Sequence, residues 1–121
     1  MTKLKVLLAE DDITMVSLLT TLLKMEGFNV VALQADADVP AAVREENPDI
    51  LLLDVHLLRQ NGFDIVSAIR SSEDISNTRV VMSSGSNVKD ECLKCGANGF
   101  LMKPYMPDEL ITILKQTIKS S

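Results

Sequence analysis

Residues 48–54 read Pro-Asp-Ile-Leu-Leu-Leu-Asp, and this stretch decides the fold. Four consecutive aliphatic residues, 50–53, are typical of a strand that is covered on both faces within a parallel sheet. Asp54 ends the run, and a loop that contains Asn61-Gly62 precedes a helix predicted over residues 63–71. The segment therefore predicts a buried strand followed by a helix.

The same alternation of strand and helix occurs on both sides of this unit. Further strands are predicted over residues 4–9, 29–33, 79–83 and 99–102. Helices are predicted from residue 13 to a stop at Gly27, between an Asp38 cap and Asn47, over residues 87–95, and from Pro107 onward. Because each parallel return of the chain needs a crossover, five such units predict an open, doubly wound α/β fold. Its five-stranded parallel sheet is expected to carry helices on both faces.

Length and charge limit the classes of protein to which the chain can belong. Its 121 residues suit one domain, predicted over residues 1–121, and no apolar stretch is long enough to cross a bilayer. The net charge of −5, the scattered basic residues and the few aromatic residues disfavour a direct nucleic-acid-binding surface. The first residues lack the pattern of a signal peptide, and the two cysteines lie too close together to staple a fold. A cytoplasmic protein is therefore expected.

Polar residues stand at the ends of four of the five predicted strands. They are Glu10 and Asp11 after the first strand, Asp54 after the third, Ser83 and Ser84 at the end of the fourth, and Lys103 after the fifth. Because the carboxyl ends of parallel strands meet at one edge of an open sheet, we expect these side chains to converge. Three clustered carboxylates repel one another unless a hard divalent cation, Mg²⁺ or Mn²⁺, neutralises them.

The same residue types are those that a phosphoryl-transfer site requires. A fixed ammonium, a hydroxyl and a cation can balance the negative oxygens of a transferring phosphoryl group. Asp54 is the natural nucleophile because carboxylates form aspartyl-phosphate intermediates when their charge is offset. It precedes a loop, so helix capping does not account for it, whereas Asp12 is interpreted as the cap of the first helix. Either Ser83 or Ser84 could face the site, and the register favours Ser84.

Four fragments of the chain occur in an order and at separations that are together highly specific. They are LLAEDD at residues 7–12, PDILLLD at 48–54 followed by NG at 61–62, VVMSSG at 80–85, and GANGFLMKP at 96–104. Together they resemble the receiver domain of two-component response regulators, and the resemblance covers essentially the whole chain. It implies the flavodoxin-like form of the predicted fold, with strand order 2-1-3-4-5.

The resemblance implies a role for each matching residue of the site. Asp54 would be the phosphoacceptor, receiving a phosphoryl group from the phosphohistidine of a sensor histidine kinase or a histidine phosphotransfer protein. Asp11 would bind Mg²⁺ directly and Glu10 through water. Asp54 and the backbone carbonyl of His56 would complete the protein ligands. Lys103 would pair with a phosphoryl oxygen, and its bond to the following proline is expected to be cis.

The resemblance also implies a switch that carries the signal to a partner. Ser84 would hydrogen-bond the phosphoryl group, and Phe100, at the family's aromatic switch position, would move toward the space that Ser84 vacates. The change would leave through the fourth helix, fifth strand and last helix toward a downstream protein or a fused output domain. His56 and Ser86 occupy positions that tune the lifetime of the phosphoryl group. Such a switch is not an enzyme acting on an external substrate, and a monomer or weak homodimer is expected.

The sequence departs from the family pattern at two positions. Leu58 stands where a proline is usual, four residues after the acceptor, and a looser loop is expected there. Phe100 lacks the hydroxyl of the tyrosine found in some members, so an inward rotamer buries less polar surface. The switch is accordingly expected to be less sharply gated.

Three other functions use part of the sequence. Cys92 and Cys95 have the spacing of a redox motif, yet they follow the fourth strand instead of opening an early helix, and one is interpreted as a buried residue of the fourth helix. A nucleotide-binding flavodoxin-like domain would need glycines where the acidic residues 10–12 stand. An aspartate-based phosphatase would need a second acid at the position of His56. Only the receiver domain uses all the residues of the site.

Overall fold

The computed structural model describes residues 3–119 and contains a parallel sheet between two layers of helices. Residues 1, 2, 120 and 121, the ends of the predicted domain, lie outside the described residues. The strands are β1 (Lys5–Ala9), β2 (Asn29–Ala32), β3 (Ile50–Asp54), β4 (His56–Leu57), β5 (Gln60–Asn61), β6 (Val80–Ser84) and β7 (Gly99–Met102). The helices are α1 (Ile13–Met25), α2 (Val39–Glu46), α3 (Gly62–Ser71), α4 (Lys89–Cys95) and α5 (Pro107–Lys119).

The main sheet has the strand order β2-β1-β3-β6-β7, and each pair of neighbours is parallel. Counted as five main strands, this is the order 2-1-3-4-5 that the family resemblance implies. The additional strands β4 and β5 form a short antiparallel hairpin between β3 and α3, which the sequence did not predict. Since neighbouring strands are parallel, their carboxyl ends lie along one edge of the sheet.

Helix α1 lies between the capping residues predicted from the sequence, whereas α4 has no side-chain cap. Asp12 accepts the N–H groups of Thr14 and Met15 at the start of α1, and Gly27, with φ 92°, follows its end as predicted. Helix α4 begins at Lys89, two residues later than predicted, and Val88 at its cap position has no side chain that could accept an N–H group. No helix within residues 3–119 has the length and apolar character needed to cross a membrane.

The sheet divides the buried apolar residues into two clusters, one on each face. Along β1, Leu7 and Ala9 contribute to the cluster beneath α2, α3 and α4, whereas Val6 and Leu8 contribute to the cluster beneath α1 and α5. Strand β3 alternates in the same way. Because both faces of these strands are buried, residues 6–9 and 50–53 are all apolar, which explains the uninterrupted aliphatic runs.

Candidate functional site

Glu10, Asp11 and Asp54 converge at the carboxyl edge of the sheet. Strands β1 and β3 are neighbours, with Ala9 opposite Leu53, so the residues that follow them lie side by side. One carboxylate oxygen from each of the three side chains lies within 4.8 Å of the other two. Glu10 and Asp54 are buried and Asp11 is half-buried. The convergence predicted from the strand ends is therefore confirmed.

Lys103 brings one positive charge into this cluster. Its Nζ lies 2.7 Å from Glu10 Oε1 and 3.1 Å from Asp54 Oδ2. The backbone N–H of Lys103 donates to the carbonyl of Ser84, which ties the end of β7 to the end of β6. The bond between Lys103 and Pro104 is cis, as the resemblance implies.

The charges of the cluster perturb one another. Burial raises the pKa of the Glu10 carboxyl, and the hydrogen bond from Lys103 offsets this effect only in part. Burial disfavours the charged form of Lys103, but the hydrogen bonds from Lys103 to Glu10 and Asp54 outweigh it, so the pKa of Lys103 is raised. Three carboxylates and one ammonium leave two negative charges at this edge. A hard divalent cation held by oxygen ligands matches both the charge and the donor set.

Backbone N–H groups hold each carboxylate in place. Asp12 donates to Glu10 Oε2 at 3.1 Å, and His56 donates to Asp54 Oδ1 at 3.2 Å. The N–H of Leu58, in the turn of the β4–β5 hairpin, donates to Asp11 Oδ2 at 2.9 Å. Each acid thus has one oxygen fixed by the main chain, which limits the rotamers of the cluster.

Gly62 allows the chain to pass close behind Asp54. A Cβ at this position would lie 2.9 Å from the Asp54 carbonyl oxygen and 2.8 Å from the Cα of Val55. The Gly62 N–H also donates to the Val55 carbonyl. The Asn61-Gly62 pair noted in the sequence therefore has a steric reason, because only glycine fits beside the backbone of the acceptor strand.

The remaining predicted site residues differ in how far they are exposed to solvent. Ser83 and Ser84 are both buried, and the Ser84 hydroxyl accepts the N–H of Ser86 at 3.1 Å. Phe100, in β7, is half-buried and packs against the cluster beneath α2, α3 and α4. His56 and Ser86 are exposed. The switch and lifetime roles of these residues stay predictions.

Two features of the site region were missed by sequence reasoning. The hairpin turn that brings the Leu58 N–H to Asp11 has no signal of its own, although Leu58 was noted as a departure from the family pattern. Tyr105 has a buried hydroxyl without a hydrogen-bond partner among the described residues. Burial raises the pKa of Tyr105 to about 12, and the charges of Glu10 and Asp54 contribute in the same direction.

The two cysteines lack the environment of a redox site. Cys92 is completely buried in α4, as interpreted from the sequence, and burial raises its pKa to about 11. Burial also raises the pKa of Cys95, whose Sγ donates to the Cys92 carbonyl. A reactive cysteine needs an accessible thiol with a lowered pKa. The geometry therefore favours a packing role for this pair.

Known proteins that are similar to this chain are response regulators. A family model described as the response regulator receiver domain matches residues 6–115. The transcriptional regulatory protein CpxR of Escherichia coli K12 is 35% identical over 120 residues, covering 97% of this chain and 50% of CpxR. The DNA-binding response regulator MtrA of Mycobacterium tuberculosis H37Rv is 29% identical over 117 residues, covering 95% of this chain and 50% of MtrA. The chain spans about half the length of these curated relatives.

Solved structures with the same fold include a chemotaxis response regulator and the receiver domain of a sensor histidine kinase. The chemotaxis response regulator CheY4 of Vibrio cholerae is 26% identical with a TM-score of 0.83, covering 96% of this chain and 99% of CheY4. The receiver domain of the sensor histidine kinase PA1611 of Pseudomonas aeruginosa has a TM-score of 0.87 at 24% identity, covering 98% of this chain and 100% of that domain, and it holds a magnesium ion in its active-site cleft. Because the family model matches most of the chain and the structures share its fold, the chain belongs to the response regulator receiver domain family.

Proposed function

We propose that the chain is a phosphoacceptor switch of a two-component phosphorelay and that Asp54 receives the phosphoryl group. One observation carries the proposal: the Asp54 carboxylate is 3.1 Å from the Lys103 ammonium and within 4.8 Å of carboxylate oxygens of Glu10 and Asp11. This is the combination of a nucleophile, a fixed cation and acidic metal ligands that phosphoryl transfer to a carboxylate requires. Membership of the receiver-domain family supports the same role.

Transfer needs a nucleophilic oxygen and a group that accepts the charge of the phosphoryl oxygens. An oxygen of Asp54 forms the new bond to phosphorus as the bond between phosphorus and the donor histidine nitrogen breaks, and the imidazole leaves. The His56 N–H holds Asp54 Oδ1 throughout. Lys103, which bridges Glu10 and Asp54, is positioned to donate to a phosphoryl oxygen. The chain thereby assists its own phosphorylation and is proposed not to act as an enzyme on an external substrate.

The acidic residues fit a magnesium ion, with manganese as a substitute. Glu10, Asp11, Asp54 and the backbone carbonyl of His56 would hold it, and the carboxylates supply the hard oxygen ligands that such ions prefer. When bound, the ion supplies positive charge that stabilises the negative oxygens during transfer. Without it, the repulsion among the three carboxylates opposes the approach of a further anion.

Ser84 and Phe100 are proposed to convert phosphorylation into a change of surface. The Ser84 hydroxyl now accepts the Ser86 N–H, and it would exchange this donor for a hydrogen bond of its own to the phosphoryl group. Helix α4 begins close by at Lys89 and lacks a side-chain cap, so little opposes a shift of its first turn. Phe100 would follow inward. His56 and Ser86 are proposed to tune the access of water to the phosphoryl group.

Two kinds of partner are proposed, one that donates the phosphoryl group and one that receives the signal. A sensor histidine kinase or a histidine phosphotransfer protein is proposed as the donor. The surface of α4, β7 and α5 is proposed to control a downstream protein or a fused output domain. CpxR and MtrA are transcriptional regulatory and DNA-binding proteins about twice as long as this chain. This chain corresponds to their receiver portion, so DNA binding is not proposed for it.

The test is the intact mass of the protein after incubation with Mg²⁺ and acetyl phosphate. We expect the wild type to gain one phosphoryl group, which Asp54→Ala loses, because the substitution removes the carboxylate that is proposed to bond to phosphorus. Asp64→Ala, an exposed aspartate of α3, is the matched control and should gain the group as the wild type does.

If the wild type shows no adduct, beryllofluoride binding would indicate a competent site with rapid turnover, whereas absence of beryllofluoride binding excludes rapid turnover as the reason. An adduct on Asp54→Ala, or no adduct and no beryllofluoride binding in the wild type, would contradict the proposal. The chain would then keep the receiver fold without its chemistry, and constitutive protein binding would replace phosphorylation as its function.

A further inference from the structure

The turn of the β4–β5 hairpin makes a hydrogen bond to the metal-binding acids. The backbone N–H of Leu58 donates to Asp11 Oδ2 at 2.9 Å, across 47 positions of the sequence. The bond therefore joins the loop after the acceptor strand to the acidic loop after β1. It is a main-chain contact, so it depends on the conformation of the turn and not on the chemistry of the Leu58 side chain.

Leu58 adopts a conformation that leucine disfavours. Its φ is 43°, in the left-handed region that glycine, asparagine and aspartate occupy more readily. Burial of the side chain does little to compensate, because Leu58 is 68% exposed. The N–H bond to a carboxylate is a charge-assisted interaction of the kind that can hold such a turn. The conformation of the turn and the position of Asp11 are thus coupled.

Asp11 differs from the other two acids in how it is held. Glu10 and Asp54 each contact both Lys103 and a backbone N–H, so both of their oxygens are engaged. The Leu58 N–H engages only Oδ2 of Asp11 and leaves Oδ1 for a cation. A carboxylate that ligates a metal through one oxygen is commonly oriented by a hydrogen bond to the other.

We propose that Leu58 is a positioning residue for the divalent cation. Its N–H fixes the Asp11 carboxylate through Oδ2 and leaves Oδ1 available to the cation before the ion arrives. The affinity of the site for Mg²⁺ or Mn²⁺ then depends on the left-handed turn at residue 58. This inference rests on the metal site of the proposed function and assigns the hairpin turn a part in building it.

Two substitutions separate the N–H from the side chain. Leu58→Pro removes the N–H and restricts φ to about −65°, whereas Leu58→Gly keeps the N–H and adopts the left-handed conformation without strain. Family members with a proline at this position lack this N–H, but in this chain it is the donor that holds Asp11 Oδ2. We therefore expect Leu58→Pro of this chain to bind Mn²⁺ about tenfold or more weakly than the wild type, as measured by calorimetry on the intact chain. Leu58→Gly should stay within about twofold of the wild type. Circular dichroism checks that each variant is folded.

A second measurement keeps the inference testable if Leu58→Pro does not fold. The amide proton of residue 58 should exchange slowly with solvent in the wild type, and the protection should disappear in Asp11→Ala. Because the proposal assigns Oδ2 to the N–H and Oδ1 to the cation, the protection should persist at saturating Mg²⁺. Loss of protection on addition of Mg²⁺ would overturn the proposal, since the N–H and the ion would then compete for Asp11.

The two proposals of this site fail in different ways. Equal Mn²⁺ affinities of Leu58→Pro and the wild type, or equal weakening by proline and glycine, would overturn the role of Leu58 and leave phosphorylation of Asp54 untouched. A wild type that binds Mn²⁺ as expected but gains no phosphoryl group and binds no beryllofluoride would contradict the phosphoacceptor role alone. The calorimetry contains no phosphodonor, so its result does not depend on that chemistry.

Discussion

Lys103 and Arg70 are both partly withdrawn from water, but their partners differ. Lys103 donates to two carboxylates, Glu10 and Asp54. Arg70, at the end of α3, donates to neutral oxygens only. These are the carbonyls of Gly96, Ser76 and Thr78 and the side-chain oxygen of Asn98. Burial lowers the pKa of Arg70, whereas the carboxylates raise the pKa of Lys103 against the same effect.

The difference separates a cation that joins chain segments from one that belongs to a reactive site. Arg70 satisfies carbonyls of two segments, the loop between α3 and β6 and the loop after α4. Its guanidinium fork suits that task because it offers several donors in a fixed plane. Lys103 balances part of a larger negative charge and leaves the rest for a divalent ion. We therefore expect Arg70 to govern stability and Lys103 to govern phosphoryl transfer.

The largest effect is expected for Lys103→Met. The variant loses the ammonium that stabilises the phosphoryl oxygens, so uptake from acetyl phosphate should fall by about 100-fold or more, as measured by intact mass over time. Lys89→Met, an exposed lysine at the start of α4, is the control and should retain the wild-type rate. A comparable loss in both variants would mean that general positive charge, not the position of Lys103, assists transfer.

The next effect is expected for Arg70→Met. Loss of the guanidinium leaves the carbonyls of Gly96, Ser76 and Thr78 without this donor, which should lower the free energy of unfolding by roughly 2–4 kcal/mol in urea titrations. The folded fraction should still take up phosphoryl. Arg44→Met serves as control, because Arg44 pairs with Asp74 at the surface and its loss should be nearly neutral. Equal stability of the two variants would remove the contrast between Arg70 and a surface arginine.

The smallest effect is expected for Tyr105. Its pKa is raised from an ordinary value near 10 to about 12, first by burial, so the folded protein holds this proton more tightly than the unfolded chain. The positive charge of Lys103 lowers this pKa, and the carboxylates of Glu10 and Asp54 raise it. The stability gained from this group is present below pH 10 and is lost as the pH rises from 10 to about 12. Since Tyr105 is the single tyrosine and tryptophan is absent, tyrosinate absorbance follows it directly.

The control for this titration is Tyr105→Phe, which should lack the tyrosinate transition and this part of the loss of stability between pH 10 and 12. A wild-type midpoint close to 10 would show that the hydroxyl is open to water. In Lys103→Met the midpoint should rise further, because the ammonium is the charge that favours tyrosinate. The same titration thus reports whether Lys103 acts on its surroundings as a charge.

The sequence predicts the site well because the site lies at strand ends. The aliphatic runs before Glu10 and Asp54 mark strands buried on both faces, and parallel strands bring their ends to one edge. Gly62 was visible as part of a turn signal, although its steric role needed the structure. The five main strands and five helices were therefore predicted, with shifts of one residue at ends of β1, β2, β6 and α3 and of two residues at the start of α4.

Other features could not be predicted because they depend on main-chain groups meeting across the fold. The bond from Leu58 to Asp11 requires a hairpin whose strands are only two residues long, too short to show a periodic pattern in the sequence. The partners of Arg70 are mostly carbonyls, which every residue carries, so side-chain patterns cannot reveal them. Thr117 is also buried in α5, although side-chain patterns would not place a polar residue in the core.

The division of the core into two clusters sets how the protein can change. If Leu7 is replaced by a smaller residue, only larger side chains beneath α2, α3 and α4 can fill the cavity, because the adjacent Leu8 packs in the other cluster. Compensating substitutions are therefore confined to one face of the sheet. A rearrangement within the cluster beneath α4 therefore need not repack the cluster beneath α1 and α5, because the sheet lies between the two.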